Sequence, residues 1–369
     1  MKQVNKPIYF ITGGGTGGHI YPAIAVADFL SSQGKVYYVG NPRNLEYDIV
    51  KNKNYKFLSV NVQGLPRKIS LDLIKWGIQL CYAIFKSMFY ILKYKPNVIF
   101  GTGGYVSAPA LIAGKLLNIP FVMHDCDANP GLVTRTLAPF ASSVSLMFEC
   151  AKEVVKNKNC FINGNPLRAE FKTMSKDKAR QNLGLENKFT IAFMGGSQGA
   201  KTINSAVCEI IKTLSVEFDV QVVFQTGKKK FEDVIEKLST FYPEYQNDKN
   251  IIVKPYFEDM ISVMKASDIA VSRAGSLSIS ELMASNVVTI FVPYPFAAAD
   301  HQRKNAKFVQ DMGAGIYLED KDVTPKKLLE LVSSLINNPD EFSKVKTRTF
   351  ELAKYDAVNA VAEQINSLI

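Results

Sequence analysis

Three times in this chain a short apolar run ends in a cluster of glycines, and this limits the fold more than any other feature. Gly13-Gly14-Gly15-Thr16-Gly17-Gly18-His19 follows the run 8–12. Gly101-Thr102-Gly103-Gly104-Tyr105 follows 98–100, and Gly195-Gly196-Ser197-Gln198-Gly199-Ala200-Lys201-Thr202 follows 190–194. A continuous apolar run of this length reads as a parallel strand buried on both faces. Glycines after it let the backbone turn tightly and approach a ligand, and a helix starting there offers unpaired N–H groups and its positive dipole end. Strand, glycine turn and helix in succession are the α/β signature, and such sheets bind ligands at the carboxyl ends of their strands.

Runs at 36–39 and 121–124 and a helical pattern over 23–32 complete a first series. Runs at 220–225, 251–253, 269–271 and 289–292, with a helical pattern over 203–214, make a second that opens as the first does. A chain of 369 residues has room for two domains, and 47% hydrophobic with 21% charged residues excludes wholesale disorder. The expected architecture is two Rossmann-like domains with parallel sheets facing across a cleft. They span 1–163 and 164–345, and a helix over 346–369 returns to the first. The stretch 163–187 reads as a linker and 324–369 as a polar, helix-like tail.

The five cysteines are scattered with no CxxC pair, so neither a disulfide framework nor a structural zinc site is expected, and a reducing cytoplasm fits. The first residues are too weakly apolar for a signal peptide, and no uncharged apolar stretch reaches spanning length. With 44 Lys+Arg against 34 Asp+Glu the formal charge is +10, which suits nucleic acid, an anionic membrane or phosphorylated substrates. No aromatic-basic recognition motif supports nucleic acid. Gly13-x-Gly15-x-x-Gly18 satisfies the dinucleotide fingerprint, but the second strand runs into Val39-Gly40-Asn41-Pro42 without the required acid, which counts against NAD or FAD. The third glycine cluster misses the Walker pattern, because Ala200 stands before Lys201 and no partner acid is evident. Such a loop still cradles a diphosphate through backbone N–H groups, with Ser197 donating.

The three histidines, His19, His124 and His301, each stand beside a strand end or glycine loop. Taken with GGGTGGHIYPAIAVA, GTGGYVSAP, GNPLR, GGSQGAKTIN, Ser272 through Glu281, and Pro293 through Ala306, they occur in one order along nearly the whole chain. In this the sequence resembles the MurG family of bacterial N-acetylglucosaminyltransferases of peptidoglycan synthesis. The resemblance implies a GT-B fold and transfer of GlcNAc from UDP-GlcNAc to the C4 hydroxyl of the muramyl sugar of lipid I, with inversion. It implies no cofactor and no metal, because Arg168 and helix N-termini neutralise UDP. It places the nucleotide sugar in the second domain, with Glu281 on the ribose hydroxyls, Ser197 and Arg168 near the diphosphate, Gln302 on the GlcNAc hydroxyls, the backbone of Phe257 on uracil, and Ser276 and Leu277 at a helix start near the α-phosphate. Thr16, Gly17 and Gly18 match the loop near the sugar and the acceptor diphosphate, and His19 is the first candidate for the catalytic base, with orientation of the acceptor as its other role. Taken alone, Glu281 reads as an ordinary exposed helix acid and Arg168 as a surface charge.

The chain departs from that family at His124-Asp125-Cys126-Asp127, where the family has His-Glu-Gln-Asn. The sugar-contacting Asn then falls on Asp127, which when ionised only accepts, and Asn129 is the nearby substitute. Asp125-x-Asp127 has the spacing of a divalent-ion site, while turn chemistry before Pro130 is the plainer explanation and is preferred. In 71–94, Lys75, Lys86 and Lys93 share one helical face, Trp76, Ile78, Leu80, Phe85, Met88, Phe89 and Leu92 cover most of the rest, and Gly77 is a candidate break. That pattern, with Arg67 and Lys68 before it, suits an anionic membrane surface, so the expected location is the cytoplasmic face of the membrane, peripherally bound. A helix packed on the sheet with snorkelling lysines gives the same pattern. Four other readings remain at this point: a different lipid-acceptor GT-B transferase such as a diacylglycerol galactosyltransferase, a UDP-GlcNAc epimerase, an inactive binding scaffold, and an NAD-dependent oxidoreductase.

Overall fold

The computed structural model describes residues 6–66, 71–196 and 198–369. Arg67, Lys68 and Ser197, named above, lie outside the described residues. The chain forms two units, one from 1–168 with 354–369 and the other from 169–353.

The first unit carries a seven-stranded parallel sheet in the order β3-β2-β1-β4-β5-β6-β7. Its strands are β1 (Ile8–Thr12), β2 (Lys35–Gly40), β3 (Lys56–Ser59), β4 (Val98–Gly101), β5 (Phe121–Asp125), β6 (Ser143–Leu146) and β7 (Cys160–Ile162). The second unit has six parallel strands, β8 (Thr190–Met194), β9 (Gln221–Gln225), β10 (Ile251–Lys254), β11 (Ile269–Ser272), β12 (Val288–Phe291) and β13 (Ile316–Tyr317), in the order β10-β9-β8-β11-β12-β13. The central strands are buried along almost their whole length, which is why they read as unbroken apolar runs.

Each sheet reverses its winding direction once, between β1 and β4 and between β8 and β11. At the first reversal Thr12 pairs with Gly101, and at the second Met194 pairs with Ser272. The paired strands therefore end level, and their following loops emerge side by side at the switch point, where open α/β sheets bind ligands.

The stretch 163–187 is not a linker. It contains the helices Glu170–Thr173 and Lys176–Leu183, the second capped by the Ser175 side chain and closed by Gly184 in the left-handed region at φ 71°. Arg180 from this helix pairs with Asp268 at 3.2 Å, tying it to the second sheet, so the boundary falls at 168/169 rather than 163/164. The tail is three helices, Pro325–Asn337, Pro339–Leu352 and Ala357–Asn366. The middle one continues to Leu352, which moves the expected 345/346 break to 353/354. The last packs Val361, Ala362 and Ile365 into the core of the first unit beside Ile20, Ile24 and Ala27. Gly77 breaks nothing, since the helix Leu71–Tyr94 runs through it. A helical glycine costs about 1 kcal/mol, and burial of Ala83, Ser87 and Ile91 on the inner face holds the segment helical.

Ile365 is fully buried, so Ile365→Ala is expected to destabilise the first unit by about 2–5 kcal/mol. Thermal unfolding monitored with limited proteolysis of the two units checks this. An unchanged first-unit transition would show that the final helix contributes nothing to that core.

Candidate active site

At the first switch point Thr16 occupies the N-cap of the helix Gly17–Leu30, its side chain makes no capping bond, and its carbonyl accepts the N–H of His19 at 3.1 Å. His19 lies in this first turn and His301 starts the helix His301–Asp311, so these two are helix-start residues rather than loop residues. The glycine loops meet around His19. Thr102 Oγ1 donates to the His19 carbonyl at 2.6 Å. A Cβ on Gly104 would stand 2.8 Å from the imidazole Cδ2, so only glycine fits beside the ring, and at φ 70°. The His19 Nδ1 is buried with no hydrogen-bond partner.

The turn after β5 completes this corner, with Cys126 Sγ 3.6 Å from the Gly18 carbonyl. Asp125 is buried, and its two oxygens accept the N–H groups of Asp127 at 3.0 Å and Gly131 at 3.2 Å. Burial first, and the Asp127 charge second, raise the Asp125 carboxyl above its ordinary value. This is turn chemistry, and it commits one carboxylate of the Asp125-x-Asp127 string to the backbone. Asp127 is half-buried, and Asn129 Oδ1 already accepts from Arg135. His124 is wholly buried, between Ser145 Oγ at 3.2 Å and Asn165 Oδ1 at 3.1 Å. Burial lowers its pKa to about 4, so it is a neutral structural histidine joining β5 to β6 and to the GNPLR segment. Arg168 in that segment lies with its guanidinium carbon 5.2 Å from the Tyr21 ring centroid, and is half-buried rather than a loose surface charge.

In the second unit the loop after β8 is pinned by backbone contact. Gly199 has φ 76°, and a Cβ there would lie 2.1 Å from the Thr226 carbonyl oxygen, so no side chain fits. Lys201 lines a groove with Ser205, Lys230 and Lys237. Phe257 is buried, and its N–H donates to Gln225 Oε1 at 2.9 Å. Gly275 caps the helix Ser276–Ala284 without a side-chain bond, placing Ser276 and Leu277 in its first turn. Glu281 is buried on this helix, so the exposed-acid reading is wrong. Gln302 Oε1 accepts the Tyr294 N–H at 2.9 Å.

Sequence reasoning missed several residues that shape these loops. Asp320 accepts from Arg273 at 2.5 Å and from Thr202 Oγ1 at 2.6 Å, binding the start of the helix Lys201–Lys212 to the turn after β11. Glu46 and Tyr38 bond the first glycine loop. None stands in a glycine motif, and only the Arg273 next to the Ala-Gly-Ser turn offered a sequence signal.

Residues 9–146 match the glycosyltransferase family 28 N-terminal domain, and residues 190–361 match the C-terminal domain. The chain belongs to glycosyltransferase family 28. It is 34% identical over 365 residues, 98% of this chain and 99% of the relative, to the UDP-N-acetylglucosamine--N-acetylmuramyl-(pentapeptide) pyrophosphoryl-undecaprenol N-acetylglucosamine transferase of Thermoanaerobacter sp. strain X514. The protein of that name from Desulforamulus reducens is 34% identical over 97% of this chain and 98% of its own. The crystal structure of Acinetobacter baumannii MurG matches with a TM-score of 0.77 and 26% identity, covering 98% of this chain and 99% of that one. A putative UDP-N-acetylglucosamine 2-epimerase from Listeria monocytogenes, at 12% identity and TM-score 0.73, shares the fold alone. The family and the GT-B-like fold expected from the motifs therefore stand, and they set aside the NAD and ATPase readings.

A second surface of this family 28 chain lies on the helix Leu71–Tyr94. Leu71, Ile74, Ile78, Tyr82, Phe85, Phe89 and Leu92 follow one another at helical spacing and are all exposed, Phe85 at 70%. Leu80 and Met88, expected on this surface, instead pack inward against the core. Lys75 is exposed beside the stripe, and the Lys93 ammonium lies 5.7 Å from the Phe89 ring centroid. Among the described residues no helix is long and apolar enough to cross a membrane.

The His124 shift fixes a pH effect. Between about pH 6.5 and 4 the unfolded chain protonates His124 while the folded chain does not, so stability of the first unit falls as pH drops through that window. Its contribution to the slope approaches about 1.4 kcal/mol per pH unit. Comparing calorimetric stability of wild type and His124→Gln at pH 7 and 4.5 checks it, and parallel losses in the two proteins would refute it.

Proposed function

We propose that this chain is an inverting N-acetylglucosaminyltransferase that moves GlcNAc from UDP-GlcNAc to the C4 hydroxyl of MurNAc in lipid I, giving lipid II and UDP in peptidoglycan synthesis. The observation that carries this is similarity over 98% of the chain to transferases whose name states that donor and that acceptor. The glycine loops at both switch points support it, because a transfer between two diphosphate-bearing substrates needs an anion site for each.

In this reading Thr16, Gly17 and Gly18 present backbone N–H groups to the acceptor diphosphate, and His19 takes the proton of the attacking hydroxyl. Its buried Nδ1 leaves Nε2 as the nitrogen for that task. Asp127 meets the sugar by accepting from its hydroxyls, with Asn129 held beside it by Arg135. The buried Glu281 accepts both ribose hydroxyls, and the Phe257 carbonyl serves uracil because its N–H is taken. The first turn at Ser276 and Leu277, with Arg168 and Ser197, stabilises the diphosphate as negative charge develops on the leaving UDP, so no metal or cofactor is required. Gln302 donates to the GlcNAc hydroxyls. The exposed apolar stripe and its flanking lysines rest on an anionic membrane surface, where the lipid tail of the acceptor is anchored, on the cytoplasmic side. Nucleic acid has no part in this scheme.

Incubation with labelled UDP-GlcNAc and a soluble lipid I analogue in EDTA is expected to yield UDP and a disaccharide lipid. His19→Ala is expected to lower kcat by about 10²–10⁴ while leaving donor binding in place. Donor binding without turnover by the wild type would sink the transferase reading in favour of a scaffold. For the surface, Phe85→Asp combined with Phe89→Asp is expected to abolish sedimentation with phosphatidylglycerol vesicles while turnover of the soluble analogue persists. Unchanged sedimentation would remove the membrane assignment.

A further inference from the structure

The acid that a dinucleotide-binding domain carries at the end of its second strand is missing here, yet a carboxylate from elsewhere fills the same corner. Glu46, in the short helix Leu45–Val50 after β2, is fully buried. Its Oε1 accepts the N–H of Asn41, next to the end of β2, at 3.1 Å, and its Oε2 accepts the N–H of Gly15 at 3.2 Å. The fit is close on two sides. A Cβ on Gly14 would lie 2.5 Å from Oε1, and one on Gly40 3.1 Å from Cγ.

Two other side chains hold the same loop. Tyr38 donates its hydroxyl to the Gly13 carbonyl at 2.7 Å, and burial first, with the Glu46 charge second, keeps that phenol protonated. Tyr105, which accepts from Asn44 Nδ2 at 3.0 Å, brings its ring within 2.8 Å of where a Gly15 Cβ would stand, and Gly15 itself has φ 84°.

We propose that Glu46 is a positioning residue of the acceptor site, an inference that rests on the acceptor reading of the first loop. It draws the Gly15 N–H toward the β1–β2 side. The loop is thereby rotated so that the amides of Thr16, Gly17 and Gly18, and with them His19, serve the β1–β4 switch point. The same carboxylate, with both oxygens taken by backbone N–H groups, fills the β1–β2 corner where the ribose of a dinucleotide would sit. Two charge-assisted bonds to backbone N–H groups make the acid specific. Glutamine keeps the volume but has a single acceptor oxygen, and its amide N–H₂ would face one of the two N–H donors.

The test compares wild type, Glu46→Gln and Tyr38→Phe. Hydrogen exchange of peptides covering 13–18 is expected to quicken about 10–100-fold in Glu46→Gln, the span given by losing one charge-assisted bond, while the second unit is unaffected. With a lipid I analogue, kcat/KM for the acceptor is expected to fall by about the same factor, and UDP-GlcNAc affinity to stay within about twofold. Tyr38→Phe, which releases the other end of the loop, is expected to give a smaller loss of the same acceptor-selective kind, and it serves where Glu46→Gln fails to fold. Unchanged exchange over 13–18, or a loss of donor affinity equal to the loss for acceptor, would overturn the proposal. If the wild type transfers no GlcNAc, the acceptor reading has failed, and the exchange measurement alone decides whether Glu46 holds the loop.

Discussion

The chemistry proposed for this chain depends on backbone N–H groups held fixed at the level ends of paired parallel strands. β1 with β4, and β8 with β11, stop at the same height because Thr12 faces Gly101 and Met194 faces Ser272. A slip of one residue in either pairing would exchange the side chains of the two buried faces and move the loop that follows. The buried hydrophobic strands forbid that slip, so the apolar runs do more than build a core. They set the register from which Gly13–His19 and Gly195–Lys201 start.

Fixed amides need fixed backs, and the two units solve this differently. In the second, Gly199 lies so close to the Thr226 carbonyl that the loop is held by backbone packing, and Asp320 bridges Thr202 to Arg273 behind it. In the first, side chains do the holding: Tyr38 at Gly13, Glu46 at Gly15, Thr102 at His19. A buried carboxylate bonded to two N–H groups fixes both direction and distance, whereas packing against a carbonyl fixes distance alone. The loop proposed above to orient a hydroxyl for proton transfer has the more directional support.

Much of this was legible in the sequence because the signals are local. Continuous apolar runs followed by glycines mark the central strands of both sheets, and the ordered motifs led to the family. Four strands were missed for a physical reason. β3 and β7 are short and half-exposed, β6 alternates serine with aliphatic residues, and β13 has two residues, so none forms an apolar run. The helix Lys176–Leu183 looked like linker because its sequence is charged. Its place is set by Asp268, 88 residues away from Arg180, and no local pattern reports such a partner. Glu46 was hidden in the same way, since its worth lies in what it meets at Gly15 across the fold.

The net charge of +10 is easily misread as the means of holding anionic substrates. Near the first glycine loop the ionisable groups include the buried acids Glu46 and Asp125, with Asp127 beside them and His124 neutral. Lys75 and Lys93 lie on the exposed apolar helix instead. Attraction by exposed lysines reaches about 8–10 Å at ordinary salt and is screened, which suits holding a protein loosely on an anionic surface. Oriented amides at a helix start act at contact distance, are screened little, and lose no side-chain freedom when an anion arrives. On the function proposed above, the division follows from that difference: mobile surface cations serve association with a surface, and the preorganised backbone serves the reacting diphosphates, with the buried Glu46 tolerated behind the first loop because both its oxygens accept backbone N–H groups, one of them the loop's own at Gly15.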